Sequence, residues 1–209
     1  MLQLRTKRYG VEMSDPRQSS FWQEHYERGN PGWDKGEAAP PLKRALTALD
    51  FEPGAKALVP GCGYGHEALY LAELGSDVVA VDFAPAAIEN LRSRSSGLSL
   101  QALERDIFSL VTDFRCDFDL VLEHTCFCAI PLDRRAEYAR TMAGVLKPGG
   151  IFLGLFWELG EDGGPPFNTT RQDVHLYFDS FFSMLEIERP EDSFPGRQDE
   201  EWLVKMVRS

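Results

Sequence analysis

No run of apolar residues in this 209-residue chain approaches the roughly 18 that a membrane span needs, so no membrane partner is expected. Positive charge is short as well: 22 Lys and Arg stand against 33 Asp and Glu, a formal charge of −11. Nucleic acids and anionic bilayers are held by clustered Lys and Arg, so the deficit argues against both. Cysteine is sparse. Cys62, Cys116, Cys126 and Cys128 do not make a disulfide framework in a chain this long, which points to a reduced, cytoplasmic protein. The opening MLQLRTKRYGVEMSDPRQ has basic residues but no apolar stretch behind them, so no secretory leader is expected. Internal repeats, low-complexity tracts and inter-domain linkers are absent too. What remains is an ordinary globular composition, 43% apolar and 26% charged, at a length suited to one domain with a sizeable core.

Residues 1–18 are polar and aperiodic, and a flexible arm is expected there, ahead of a single domain over 19–209. In SSFWQEHYERGNPGW, residues Phe21, Trp22, His25 and Tyr26 fall at helical spacings. Ser19 or Ser20 is the expected N-cap, and Gly29-Asn30-Pro31-Gly32 the stop. Pro40 opens a second helix, since proline is tolerated in the first turn. From residue 55 short apolar runs alternate with helical periodicity. Strands are expected over 55–59, 77–81, 99–105, 118–123 and 151–157, and near 182–188 and 202–207. Helices are expected over 67–74, 85–94 and 133–146 and near 171–179. Continuously apolar strands fit a sheet covered on both faces, so the fold class is a three-layer α/β sandwich of about seven strands.

In an open α/β sheet the ligand sits beyond the carboxyl ends of the strands. Gly61, Gly63 and Gly65 follow the first strand, where they allow positive φ and a close backbone approach. Asp82 ends the second strand, where a carboxylate can accept from both hydroxyls of a ribose. A dinucleotide fingerprint would need a glycine where this chain has His66, and Glu67 at the helix start repels a pyrophosphate. A ligand with a ribose and an adenine but no phosphate fits better, and S-adenosylmethionine is such a ligand. Asp106 follows the third strand, where it can accept from the adenine amine while Ile107 packs on the ring.

The segments PGCGYGHEALYLAELGSDVVAVD, DIF, FDLVLEHTCFCAIP, LKPGG and GGPPF, in this order, resemble the thiopurine S-methyltransferase superfamily of class I methyltransferases. The likeness covers roughly residues 20–207, and Trp22–Tyr26, Trp33 and HTCFCAIP are most similar to its halide and thiol methyltransferase branch. The resemblance implies a Rossmann-like, mostly parallel sheet with an antiparallel last strand and an N-terminal helical lid over 19–50. It implies that Trp22, Tyr26 and Trp33 cover the sulfonium and that Gly61 and Gly63 meet the methionine moiety. Asp82 would then hold the ribose, Asp106 and Ile107 the adenine, and His124 would sit beside cofactor and substrate. Three positions depart from common family patterns and leave the acceptor open: Tyr26 where relatives often have tryptophan, Phe167 where halide users are associated with tyrosine, and His124.

Transfer from a sulfonium is an in-line displacement on carbon, which positioning and exclusion of water can drive without an obligatory base. Ring faces attract the charged methyl–sulfonium group. Trp33, Phe127, Trp157 and Phe167 are the candidates for the acceptor side, with GGPPF as a substrate-side loop. His124 is the one possible catalytic side chain, as acceptor of a thiol proton or donor to the cofactor carboxylate. Cys126 and Cys128 lack partners at metal spacing, so no metal is expected. The expected activity is methyl transfer to a thiol, hydrosulfide, halide or chalcogenide by a monomer. Methylation of oxygen or nitrogen in a small metabolite, and a catalytically silent cofactor-binding module, remain open alternatives.

Overall fold

The structure is a computed structural model that describes residues 15–29, 31–49, 52 and 54–209. Among the described residues seven strands form one sheet: β1 (Lys56–Pro60), β2 (Asp77–Asp82), β3 (Leu100–Glu104), β4 (Phe118–His124), β5 (Leu146–Trp157), β6 (Phe182–Glu188) and β7 (Glu201–Arg208). Their spatial order is β3-β2-β1-β4-β5-β7-β6. The first five run parallel, and β7 enters antiparallel between β5 and β6, as expected of the last strand. The helices are α1 (Ser19–Glu27), α2 (Pro40–Thr47), α3 (His66–Glu73), α4 (Pro85–Arg94), α5 (Arg135–Val145) and α6 (Arg171–Phe178). Among the described residues no helix is long and apolar enough to cross a membrane.

Alternation along the strands makes the three layers. Ala57, Val59, Leu120, Leu122, Leu153 and Leu155 face α2, α3 and α4, while Leu58, Val121, Phe152 and Phe156 face α5 and α6. Phe118, Phe127, Phe152, Phe156 and Phe178 are almost completely buried, and such side chains contribute roughly 1.5–3 kcal/mol each relative to exposure. Local signals set the helix ends. Pro85 occupies the first turn of α4, and Thr170 with Asp173 closes a reciprocal capping box on α6.

Three boundaries differ from expectation. No serine caps α1: Gln18 holds that position without a side-chain bond, and the helix is held instead by Tyr26, Trp22 and Trp33 packing against Ala84 and Ala87 beside α4. Strand β5 starts at Leu146 rather than Ile151, because Leu146 pairs with Phe118 before the register slips and Gly149 turns at φ 77°. Of the expected arm, residues 1–14 lie outside the described residues, but 15–18 are attached to the domain. Arg17 pairs with Asp133 at 2.9 Å, and Trp22 Nε1 donates to the Pro16 carbonyl at 2.9 Å.

The order of the strands positions the site. The chain leaves β1 toward β2 and β3, then returns to place β4 on the other side of β1. The switch point between β1 and β4 opens a crevice at their carboxyl ends.

Candidate active site

A cavity of about 460 Å³ occupies that crevice, within the range of roughly 300–1,000 Å³ usual for small-ligand sites. Gly61 and Asp82 line it at the ends of β1 and β2, and Asp106 and Ile107 beyond β3. Gly61 sits at φ 55°, and a Cβ there would meet Cys126 Sγ at 2.6 Å. Asp82 is locked in place: Oδ2 accepts from the Gly63 N–H at 3.0 Å and Oδ1 from the Ala84 N–H at 2.9 Å. Burial pushes its carboxyl upward, and these N–H donors oppose that shift. Asp106 Oδ1 accepts from the Phe108 N–H at 3.0 Å and so caps the turn that carries Ile107.

Helix α1 and the loop after it cover the crevice with Trp22, His25, Tyr26 and Trp33. Trp33 meets Trp22 and Tyr26 edge-on, each at a centroid distance of 5.6 Å. Gly63 lies behind this cover and does not line the cavity. Its N–H is spent on Asp82, and a Cβ would stand 3.2 Å from the Tyr26 hydroxyl.

The expected acceptor-side residues divide. Trp157 lines the cavity. Phe127 does not, because its side chain is fully buried among Tyr138, Phe156 and Phe178 at 5.3–5.4 Å. Phe167 does not either: its ring covers Gly164, and its N–H donates to the Cys128 carbonyl at 2.6 Å. Its neighbours Pro165 and Pro166 take the place expected of it.

His124 stands behind the wall rather than on it. Its Nδ1 lies 2.7 Å from Glu67 Oε1, which also accepts from the Ala39 N–H at 3.1 Å. Burial opposes charge on both groups, but their mutual attraction wins, raising the His124 pKa and lowering that of Glu67. The pair ties β4 to α3.

Glu123, one residue earlier, faces the opposite layer. Its Oε1 accepts from the N–H groups of Cys126 (2.7 Å) and Phe127 (2.9 Å), shaping the turn that brings Cys126 against Gly61. Burial raises its carboxyl pKa from 4.5 to about 7. The native state therefore keeps a proton that the unfolded chain releases above pH 4.5. Stability falls as pH rises through that window, by on the order of 3 kcal/mol from this group. Glu123→Gln is expected to remove that part of the decline, which melting temperatures of both proteins between pH 5 and 8 will show; parallel profiles would refute it.

Several cavity residues lie outside the expected set. Arg197 is 3% exposed, bonded to Glu201 at 3.1 Å and stacked over the Trp157 ring at 3.7 Å. It sits in the aperiodic run PGRQDEE, which carries no local signal. Cys126 and Cys128 also line the cavity, with burial pushing both thiols upward, Cys128 to about 12. Among the described residues no group of three or more His, Cys, Asp or Glu side chains could hold a metal ion.

A family described as thiopurine S-methyltransferase matches residues 17–209. The chain is 31% identical over 191 residues to thiocyanate methyltransferase 1 of Brassica oleracea, a span of 87% of this chain and 82% of that protein. It is 32% identical over 157 residues to a probable thiol methyltransferase 2 of Arabidopsis thaliana, covering 73% and 68% of the two. The solved structure of 1,6-didemethyltoxoflavin-N1-methyltransferase from Burkholderia thailandensis shares the fold, with a TM-score of 0.74 at 20% identity over 96% of this chain and 93% of that one. By this match over residues 17–209 the chain belongs to the thiopurine S-methyltransferase family and is an S-adenosylmethionine-dependent methyltransferase.

Proposed function

We propose that the methyl acceptor is a small, soft, electron-rich nucleophile: a thiol, hydrosulfide, thiocyanate, halide or chalcogenide. One observation carries this reading. The acceptor end of the cavity joins aromatic and apolar surface to a single buried guanidinium, that of Arg197 over Trp157. A polarizable anion is well matched to such a surface, with charge met by Arg197 and little hydration to replace. The names of the thiol and thiocyanate relatives agree with it.

S-adenosylmethionine, when bound, supplies a methyl group already activated on a sulfonium. The side chains have the remaining work. Asp82 holds the ribose and Asp106 with Ile107 the adenine, while the backbone at Gly61 lets the methionine portion approach. Trp22, Tyr26 and Trp33 close over the sulfonium, attract it through their ring faces and exclude water. Arg197 and Trp157 hold the nucleophile in line with the methyl carbon, and alignment of this kind is worth about 7–11 kcal/mol.

A panel of sulfide, small thiols, thiopurines, thiocyanate, iodide and selenite, with detection of methylated product, tests the assignment. Cofactor binding without product from any of them would overturn it. Arg197→Met combined with Glu201→Gln, which avoids stranding a buried charge, is expected to lower kcat/KM for thiocyanate about 10- to 100-fold, the worth of one charged hydrogen bond. Unchanged kinetics would remove Arg197 from the acceptor site.

A further inference from the structure

We infer that His25 is a catalytic base for acceptors that arrive protonated, so that thiols and ready-made anions react in one cavity by two routes. This rests on the soft-nucleophile reading above and adds to it the side chain that takes the proton.

His25 lines the cavity from α1. Its Nδ1 lies 2.8 Å from the Phe21 carbonyl oxygen. A carbonyl oxygen only accepts, so Nδ1 carries the hydrogen, and in the neutral ring Nε2 keeps its lone pair. No hydrogen bond among the described residues engages Nε2. The ring is also held in position, with the Phe21 centroid at 4.7 Å and that of Trp33 at 5.6 Å. Tautomer and orientation are thus both set by neighbours, as in bases that a second group orients.

The other cavity-lining groups are less suited to the task. Both oxygens of Asp82 accept backbone N–H groups, and Asp106 caps its own turn. Burial keeps the Cys126 and Cys128 thiols and the Tyr26 hydroxyl protonated. His124 is pinned by Glu67 behind the wall. Arg17, Arg105, Arg134 and Arg197 have no lone pair to offer, and each is paired with a carboxylate.

In the step, the thiol S–H bond breaks and its proton passes to Nε2. The freed electron pair forms the new sulfur–carbon bond to the methyl group. The pair of the methyl's old bond stays on the sulfonium sulfur, which becomes a neutral thioether, and the imidazolium then returns its proton to solvent. Thiocyanate needs only the second half of this sequence.

Two measurements test the proposal, with Asn and Ala variants at position 25. In the first, 15N NMR of ring-labelled enzyme saturated with S-adenosylhomocysteine should show the neutral His25 ring as the Nδ1–H tautomer, with Nε2 free of a proton. A neutral ring protonated on Nε2 would overturn the assignment. In the second, kcat/KM for 2-mercaptoethanol and for thiocyanate is compared at neutral pH. His25→Ala and His25→Asn should lower the thiol-to-thiocyanate ratio about 30- to 100-fold, bounded by the thiolate already present in solution. The ratio should recover above the thiol's own pKa. An equal loss on both acceptors would reduce His25 to packing, and wild-type enzyme that methylates neither acceptor would instead refute the soft-nucleophile reading.

Discussion

Asp82→Ala is expected to weaken S-adenosylhomocysteine binding by about 100-fold and to lower the melting temperature by several degrees. Two losses combine. The proposed ribose contacts are charge-assisted hydrogen bonds, worth about 1.5–3 kcal/mol each. The same carboxylate also satisfies the N–H groups of Gly63 and Ala84, so its removal strands two buried donors at the mouth of the site. Asp82→Asn keeps the shape but points an NH2 at one of those donors, so it should sit between alanine and wild type in stability. Titration calorimetry and thermal unfolding separate the two effects. Full affinity in a destabilised Asp82→Ala protein would show that the carboxylate shapes the turn and does not touch the ligand.

Gly61→Ala should be as severe by another route. A left-handed backbone at φ 55° costs an alanine about 1–2 kcal/mol. The added Cβ then stands 2.6 Å from Cys126 Sγ and 3.0 Å from Cys126 Cβ. Cys126 has little room to retreat, because its N–H is held by Glu123 Oε1 at 2.7 Å. The ends of β1 and β4 must separate, which shifts the cavity wall against which the ligand is read. Loss of S-adenosylhomocysteine binding by about 100-fold or more is expected, with a melting temperature lower by roughly 5–10 °C. Gly97→Ala is the control: φ is also positive, at 82°, but no atom lies within 4 Å of the added Cβ. It should lose only the backbone part, with binding intact. Equal behaviour of the two variants would show that the contact with Cys126 is unimportant.

Much of this architecture was legible from periodicity. Helix α4 and strand β6 fall on their expected limits, and the other strands lie within a residue or two of theirs except β5. The placement of Asp82 and Asp106 followed from strand ends, because carboxyl ends of parallel strands share one crevice. Alternation sends Glu123 and His124, the last two residues of β4, to opposite layers, one toward α5 and the other onto α3. What sequence spacing could not resolve was the direction of side chains once the strands stop. Phe127 follows a tight turn whose sense depends on Glu123 gripping two N–H groups, and it ends in the core rather than the cavity. Arg197 reaches the site through a loop with no periodicity, held by a partner four residues on and a ring forty residues back. His25 was read as one member of an aromatic stripe, and only the Phe21 carbonyl separates it from its neighbours.

The place of β7 has a consequence for biosynthesis. Strand β5 ends at Trp157, but its partner β7 begins only at Glu201, and β6 pairs with β7 alone. On the ribosome, a nascent chain that has completed β5 therefore presents an apolar edge whose complement has not yet been translated. The intervening hairpin partner cannot shield it, since β6 has no place in the sheet until β7 arrives. Unpaired edges of this kind template association between chains. The interval between synthesis of β5 and of β7 is thus one of exposure to misassembly, in which a chaperone holding β5 would increase the yield of folded enzyme.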